Sequence, residues 1–188
     1  MSVAVQSTQV LEEVLQRIAS DLSMIADREL VIGSVECEDL DYRPAGLGQI
    51  HISFRLGFKR SEEWFAGCLL MPLPDAICLS GCLLMLPEEE IVGMRDQTTL
   101  DGPPKEAILE VGNFLSSATD AGLKSVGIED VKVVFDGCQG VRPDIRPAMA
   151  YDEGAVLHVA RAKATLRDFP EQTYLLLLPA TALVPKED

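Results

Sequence analysis

Ile108-Leu109-Glu110-Val111-Gly112-Asn113 and, near the other end of the chain, Leu11-Glu12-Glu13-Val14-Leu15-Gln16 are two versions of one hexapeptide. Each lies in a stretch whose apolar residues recur at helical spacing. Around the first copy, Val10, Leu11, Val14, Leu15, Ile18, Leu22 and Ile25 define a helix over about Thr8–Asp27. Around the second, Ile108, Val111, Leu115, Ala118 and Gly122 define a helix over Pro104–Gly122. Further matches follow in the same order along the chain. Arg43-Pro44 pairs with Arg142-Pro143, and Ile50-His51-Ile52 with Leu157-His158-Val159. The spacing between partners grows slowly, as loop insertions in the second half would make it.

The segments between these matches read mostly as strands. Val31–Cys37, Gly48–Phe58 and Trp64–Met71 follow the first helix; Val131–Phe135, Ala155–Leu166 and Thr173–Leu183 follow the second. Asp75–Leu86 reads as a short helix starting just after Pro74. Pro87-Glu88-Glu89-Glu90 opens another, since proline and acids both suit a first helical turn. Neither half can bury its own sheet face, so the two should share one core. The expected fold is α/β: duplicated helix-plus-strands units forming one pseudo-twofold sheet, with the two long helices packed on it. One domain would span residues 1–188, with a first repeat over about 8–86 and a second over about 104–183. The Leu175–Leu178 run is expected as a buried central strand, with edge pairing to another copy as the alternative.

Composition agrees with a packed domain. The 188 residues are 47% hydrophobic and 24% charged, too apolar for disorder. A net charge of −14 repels phosphate backbones and anionic lipid, which argues against nucleic-acid and membrane-surface roles. The same field attracts a basic partner and also serves solubility. The longest apolar segment, Ala66–Pro87, contains Asp75 and is interrupted by Pro72 and Pro74, so it reads as buried core rather than a membrane span. Met1–Gln9 lacks the basic flank and apolar stretch of a secretory signal. The odd cysteine count (Cys37, Cys68, Cys78, Cys82, Cys138) and their apolar neighbours imply buried free thiols in a reducing cytoplasm. Cys78 and Cys82 share a helical face, but no second ligand pair at zinc spacing accompanies them, so no metal site is expected. His51 and His158 read as ordinary strand residues, and Glu88–Glu90 as a helix start rather than a site.

The second helix carries the chemistry. Asn113 is the chain's only asparagine, and it sits mid-helix beside Gly112. Both are poor helix residues, costing roughly 0.5 and about 1 kcal/mol relative to alanine, so something other than helix formation holds them there. At about 100° per residue, Glu106, Glu110, Asn113 and Ser117 cluster within roughly 60° on the face opposite the apolar stripe. Phe114 falls at the edge of that polar stripe as a partly exposed anchor, and Gly112 points inward, where a neighbour can approach closely. A glutamate and an asparagine one turn apart is a sparse constellation, and in many chains it is only a solvated helix face. It lacks an acid–base histidine, an activated nucleophile and a carboxylate cluster for magnesium. Hydrolysis of an aspartyl phosphate asks little more of a helper, because the acyl phosphate is already reactive and the partner can supply metal and lysine. The helper must place a water in line with phosphorus, which an amide can do.

Glu106-Ala107-Ile108-Leu109-Glu110-Val111-Gly112-Asn113 resembles the signature helix of the CheC/CheX chemotaxis phosphatases, which are related to the flagellar switch proteins FliM and FliY. Met71-Pro72-Leu73-Pro74-Asp75-Ala76 and the duplicated organisation are also similar to that family. The resemblance implies a three-layer α/β fold and a phosphorylated CheY-like receiver domain as substrate, with Mg²⁺ in that partner and no cofactor in this chain. By position, Asn113 would orient the attacking water and Glu110 would contact the regulator's lysine, with Glu106, Phe114 and Ser117 as binding residues. Glu106 stands where the family has aspartate or serine, and Pro143 lies further downstream than the family's proline. In the first helix Glu13 and Gln16 replace glutamate and asparagine. They read as a degenerate second site, although the unrelated CheZ phosphatase orients a water with glutamine. Two other roles remain beside the phosphatase: a non-catalytic adaptor binding a response regulator or flagellar component, and a homodimer built through exposed strand edges.

Overall fold

The computed structural model describes residues 3–184, with side chains from Ser7 onward. Helix α1 (Val3–Ala26) leads into strands β1 (Leu30–Leu40), β2 (His51–Arg60) and β3 (Glu63–Pro72). Two short helices follow, α2 (Leu73–Leu83) and α3 (Glu88–Met94). The order then recurs: α4 (Pro103–Ser125), β4 (Lys132–Val141), β5 (Leu157–Leu166), β6 (Gln172–Pro179) and the single turn α5 (Ala180–Leu183). The strand expected over Thr173–Leu183 therefore ends at Pro179 and gives way to a helical turn. Pro72 and Pro179 play the same part in the two halves. Each ends a strand and caps the helix that follows it, because proline cannot donate to the ladder but suits a helix entry.

The six strands form one antiparallel sheet in the order β1-β5-β6-β3-β2-β4. Exchanging β1 with β4, β2 with β5 and β3 with β6 returns the same order reversed, as a pseudo-twofold axis through the sheet centre requires. At that centre Leu69 of β3 stands opposite Leu176 of β6. The leucine run of β6 is fully buried, as expected for a central strand.

One sheet face packs on the long helices. Val14, Leu15, Ile18 and Leu22 of α1 and Ile108, Val111 and Leu115 of α4 meet Phe54, Leu56, Phe58, Leu69, Met71, Ala160, Ala162 and Leu176 in the main core. The helices approach each other closely: a Cβ on Gly122 would lie 2.9 Å from the Val14 Cα. The opposite face holds Cys68, Leu70, Leu157, Val159, Leu175 and Leu177 with Met149. It is covered by the loops after β1 and β4, which carry the two Arg-Pro pairs. Arg43 donates to the carbonyls of Pro147 (3.1 Å) and Met149 (3.0 Å), lacing one loop to the other.

Two expectations change here. His51 and His158 are not equivalent. Ile52 belongs to the helix-side core while Leu157 and Val159 belong to the other cluster, so strand alternation turns the two imidazoles to opposite faces. The five thiols are free, but only Cys68 and Cys78 are buried; Cys37, Cys82 and Cys138 are partly exposed. Asp75 sits inside the core, held by Arg95 Nη2 at 3.1 Å and by the Tyr174 hydroxyl at 2.9 Å.

Candidate functional site

Helix α4 begins at Pro103-Pro104, which need no amide partner in a first turn. Gly102 precedes them with φ 63°, a left-handed backbone that glycine adopts without strain. Its inner side is anchored in three places. Ile108, Val111, Leu115 and Ala118 are buried. Gly112 lies under the Phe135 ring of β4, where a Cβ would meet Cε2 at 2.2 Å. Asp120 Oδ1 accepts the Val133 amide at 2.9 Å, fixing the helix to the start of the same strand.

The outer side carries the stripe. Glu106, Glu110, Asn113 and Ser117 are all exposed. Asn113 Nδ2 donates to Glu110 Oε2 at 3.3 Å, so the carboxamide and carboxylate are in register on the exposed face. The Ser116 hydroxyl donates to the Asn113 carbonyl at 2.9 Å, a bond within the helix. Phe114 is 42% exposed on one flank of the stripe. The other flank is Leu109, 46% exposed, which sequence reasoning passed over. On the helical wheel it sits opposite Phe114 across the polar stripe, and an apolar residue outside the buried face was the available signal. The arrangement is a polar pair between two apolar flanks, suited to insertion into another protein's pocket rather than to enclosing a small molecule.

A cavity of about 560 Å³ opens beside the N-terminal turn of α4 between Leu73, Leu100, Lys105, Ile108, Cys138 and Arg142. Neither Glu110 nor Asn113 lines it.

On α1, Glu13 and Gln16 are exposed at the corresponding positions. They border a groove of about 300 Å³ with Gln9, Glu12, Gly33 and Val35. Glu13 Oε1 accepts the Ser125 hydroxyl from the end of α4 at 3.1 Å, so this carboxylate is tethered within the molecule. The residues matching Leu109 and Phe114 are Glu12 and Arg17, and Arg17 is ion-paired with Asp21 at 3.0 Å. The first helix thus keeps a polar face without apolar flanks. Among the described residues no group of three or more His, Cys, Asp or Glu side chains is placed to hold a metal ion, and no helix is long and apolar enough to cross a membrane.

No protein-family model matches the chain, and no curated protein matches it in sequence. Solved structures do resemble it in fold. FliY from Thermotoga maritima superposes with a TM-score of 0.64 at 11% identity, over 90% of this chain and 86% of that one. FliM in a FliG–FliM complex from H. pylori gives 0.64 at 10% identity, over 97% and 98%. The chemotaxis protein CheX from Desulfovibrio desulfuricans gives 0.56 at 14% identity, over 90% and 99%. The chain has the fold that these chemotaxis and flagellar proteins share.

Proposed function

We propose that this chain, built on the CheX and FliM fold, hydrolyses the aspartyl phosphate of a CheY-like receiver domain. The observation that supports this most is the exposed Glu110–Asn113 pair, one turn apart and joined at 3.3 Å on a helix free to dock. On docking, Glu110 exchanges its bond to Asn113 for the receiver's lysine, and Asn113 is released to hold a water in line with phosphorus. The receiver supplies Mg²⁺ and the reactive acyl phosphate; this chain supplies position. Glu106 and Ser117 extend the polar stripe along the docking surface, and Phe114 packs beside it. The first helix, with Glu13 tethered and Gln16 one methylene longer than asparagine, contributes no second active site.

The test is the decay of a phosphorylated receiver domain with and without the protein. Wild type should shorten the lifetime, and Asn113→Ala should lose about 100-fold of that effect or more while still binding. Equal decay with wild type and variant overturns the phosphatase role.

The adaptor reading has its own support, because FliY and a FliG-bound FliM are among the structures of similar fold. Under it, Glu110→Ala weakens binding to a receiver or flagellar component, and no concentration of wild type accelerates dephosphorylation.

A further inference from the structure

Away from α4, one side-chain cluster has no part in the proposed reaction. Cys78 and Cys82 lie one turn apart on α2, the first fully buried and the second partly exposed. Cys82 is in the last turn of that helix, just ahead of Met85 at φ 56°. It borders a cavity of about 330 Å³ with Ile25, Arg28, Met85, Glu88 and Arg167. Arg167 Nη1 donates to the Cys82 sulfur at 3.5 Å, and its Nη2 pairs with Glu88 at 3.1 Å. The Arg167 side chain is only 8% exposed, and its Cζ lies 5.9 Å from the centre of the Phe169 ring. A fixed, poorly hydrated cation against a thiol that solvent can reach is the environment in which cysteines react.

We propose that Cys82 is a modification site for hydrogen peroxide and similar small electrophiles, with Cys78 as its resolving thiol. The Cys82 thiolate attacks one peroxide oxygen; an S–O bond forms, the O–O bond breaks, and hydroxide leaves to take up a proton. The Cys78 thiol then attacks the sulfenic sulfur. The S–S bond forms, and the hydroxyl departs as water with the Cys78 proton. Two thiols lose two electrons, and the peroxide becomes two waters. Helical neighbours four apart hold their Cβ atoms about 5–6 Å apart, wider than a disulfide accepts, so closing the bond loosens the last turn of α2.

The electrostatics favour Cys82 over the other thiols. The Cys78 thiol hydrogen-bonds to it, and with Arg167 this outweighs burial and the Glu88 carboxylate, bringing Cys82 down to about 6. Asp27 and Arg28 line the same cavity with opposite charges, and Arg95 acts on Cys78. Cys37 and Cys138 are also partly exposed, but burial raises both. At neutral pH the larger thiolate fraction of Cys82, set against its weaker nucleophilicity, leaves it about two- to threefold faster than an ordinary thiol.

The experiment is iodoacetamide labelling of the native protein from pH 5 to 9, each cysteine followed by peptide mass, with a parallel exposure to hydrogen peroxide. Cys82 should label first, with an apparent pKa below those of Cys37 and Cys138, and Arg167→Gln should raise it. Peroxide should remove two mass units in wild type, whereas Cys78→Ser should retain a dimedone-reactive sulfenic acid at Cys82. Labelling of Cys82 no faster than Cys37 and Cys138 in wild type overturns the site. A selective Cys82 that yields no Cys78–Cys82 disulfide overturns the resolving role.

Discussion

Gly112 of α4 lies beneath Phe135 of β4 so closely that a Cβ would fall 2.2 Å from the ring. The residue before Asn113 is therefore what sets the helix against the sheet edge. Gly112→Ala gains about 1 kcal/mol of helix propensity but must displace the ring or lift the helix, at about 1–3 kcal/mol. The expected result is net destabilisation of up to about 2 kcal/mol in urea unfolding. Phe135→Ala made in the Gly112→Ala background should cost clearly less than in wild type. Additive costs would show that the ring does not limit the helix.

The second glycine of α4 gives a sharper case. Gly122 faces backbone, the Val14 Cα, and not a movable ring. Gly122→Leu should force α1 and α4 apart and cost at least about 3 kcal/mol. A thermal melt within a few degrees of wild type would contradict the helix crossing.

The helix-and-sheet pattern was legible because apolar periodicity reports which face is buried, and both long helices bury the residues their spacing marks except Ile25, which is half-buried near the end of α1. β1 and β4 run past their expected ends, to Leu40 and Val141. They are the edge strands, and their later residues, such as Glu38, Asp39, Asp136 and Gln139, are polar and lack the apolar signal of a covered strand. The match of His51 to His158 failed because one inserted residue reverses the face of a strand while leaving the local sequence alike. Leu109 was hidden for a different reason. The wheel separates buried from exposed faces, and it does not say which exposed residue borders a docking surface.

Asp75 illustrates a buried charge that sequence marked only as an oddity in an apolar segment. Arg95 Nη2 and the Tyr174 hydroxyl both donate to its carboxylate inside the core. Arg95→Met should cost about 3–5 kcal/mol, since it leaves the carboxylate without its cation. Tyr174→Phe should cost about 1–3 kcal/mol through one lost buried bond. Adding Asp75→Leu to Arg95→Met should recover part of the loss, less the cost of the buried Tyr174 hydroxyl left without its acceptor, and urea unfolding of the three variants checks the order.

His51 predicts a pH dependence. The ring is fully buried, its Nε2 has no partner, and its Nδ1 lies 3.4 Å from the Gln49 carbonyl. Burial lowers its pKa from 6.5, outweighing the Gln49 carbonyl. Between the lowered value and 6.5 the unfolded chain binds more protons, so stability rises with pH there and is lost as pH falls below 6.5. The stability difference between wild type and His51→Gln should therefore move against wild type on acidification from pH 7 to pH 5. A difference constant across that range would show that the ring is protonated in place.

The flanks of the polar stripe separate docking from catalysis. Leu109 and Phe114 are 46% and 42% exposed, and their counterparts on α1 are Glu12 and Arg17. Leu109→Glu with Phe114→Arg gives α4 the flanks of α1 and leaves Glu110 and Asn113 in place. Both side chains already face water, so the melting temperature should hardly change. If the two apolar flanks are covered by the receiver, each removes about 1–2 kcal/mol of contact, and affinity should fall about 30- to 1,000-fold for the pair. Activity at saturating receiver should survive, because the water-positioning amide is untouched. Unchanged affinity would place the docked partner away from this face, whereas activity lost without loss of binding would mean that the flanks hold the catalytic geometry.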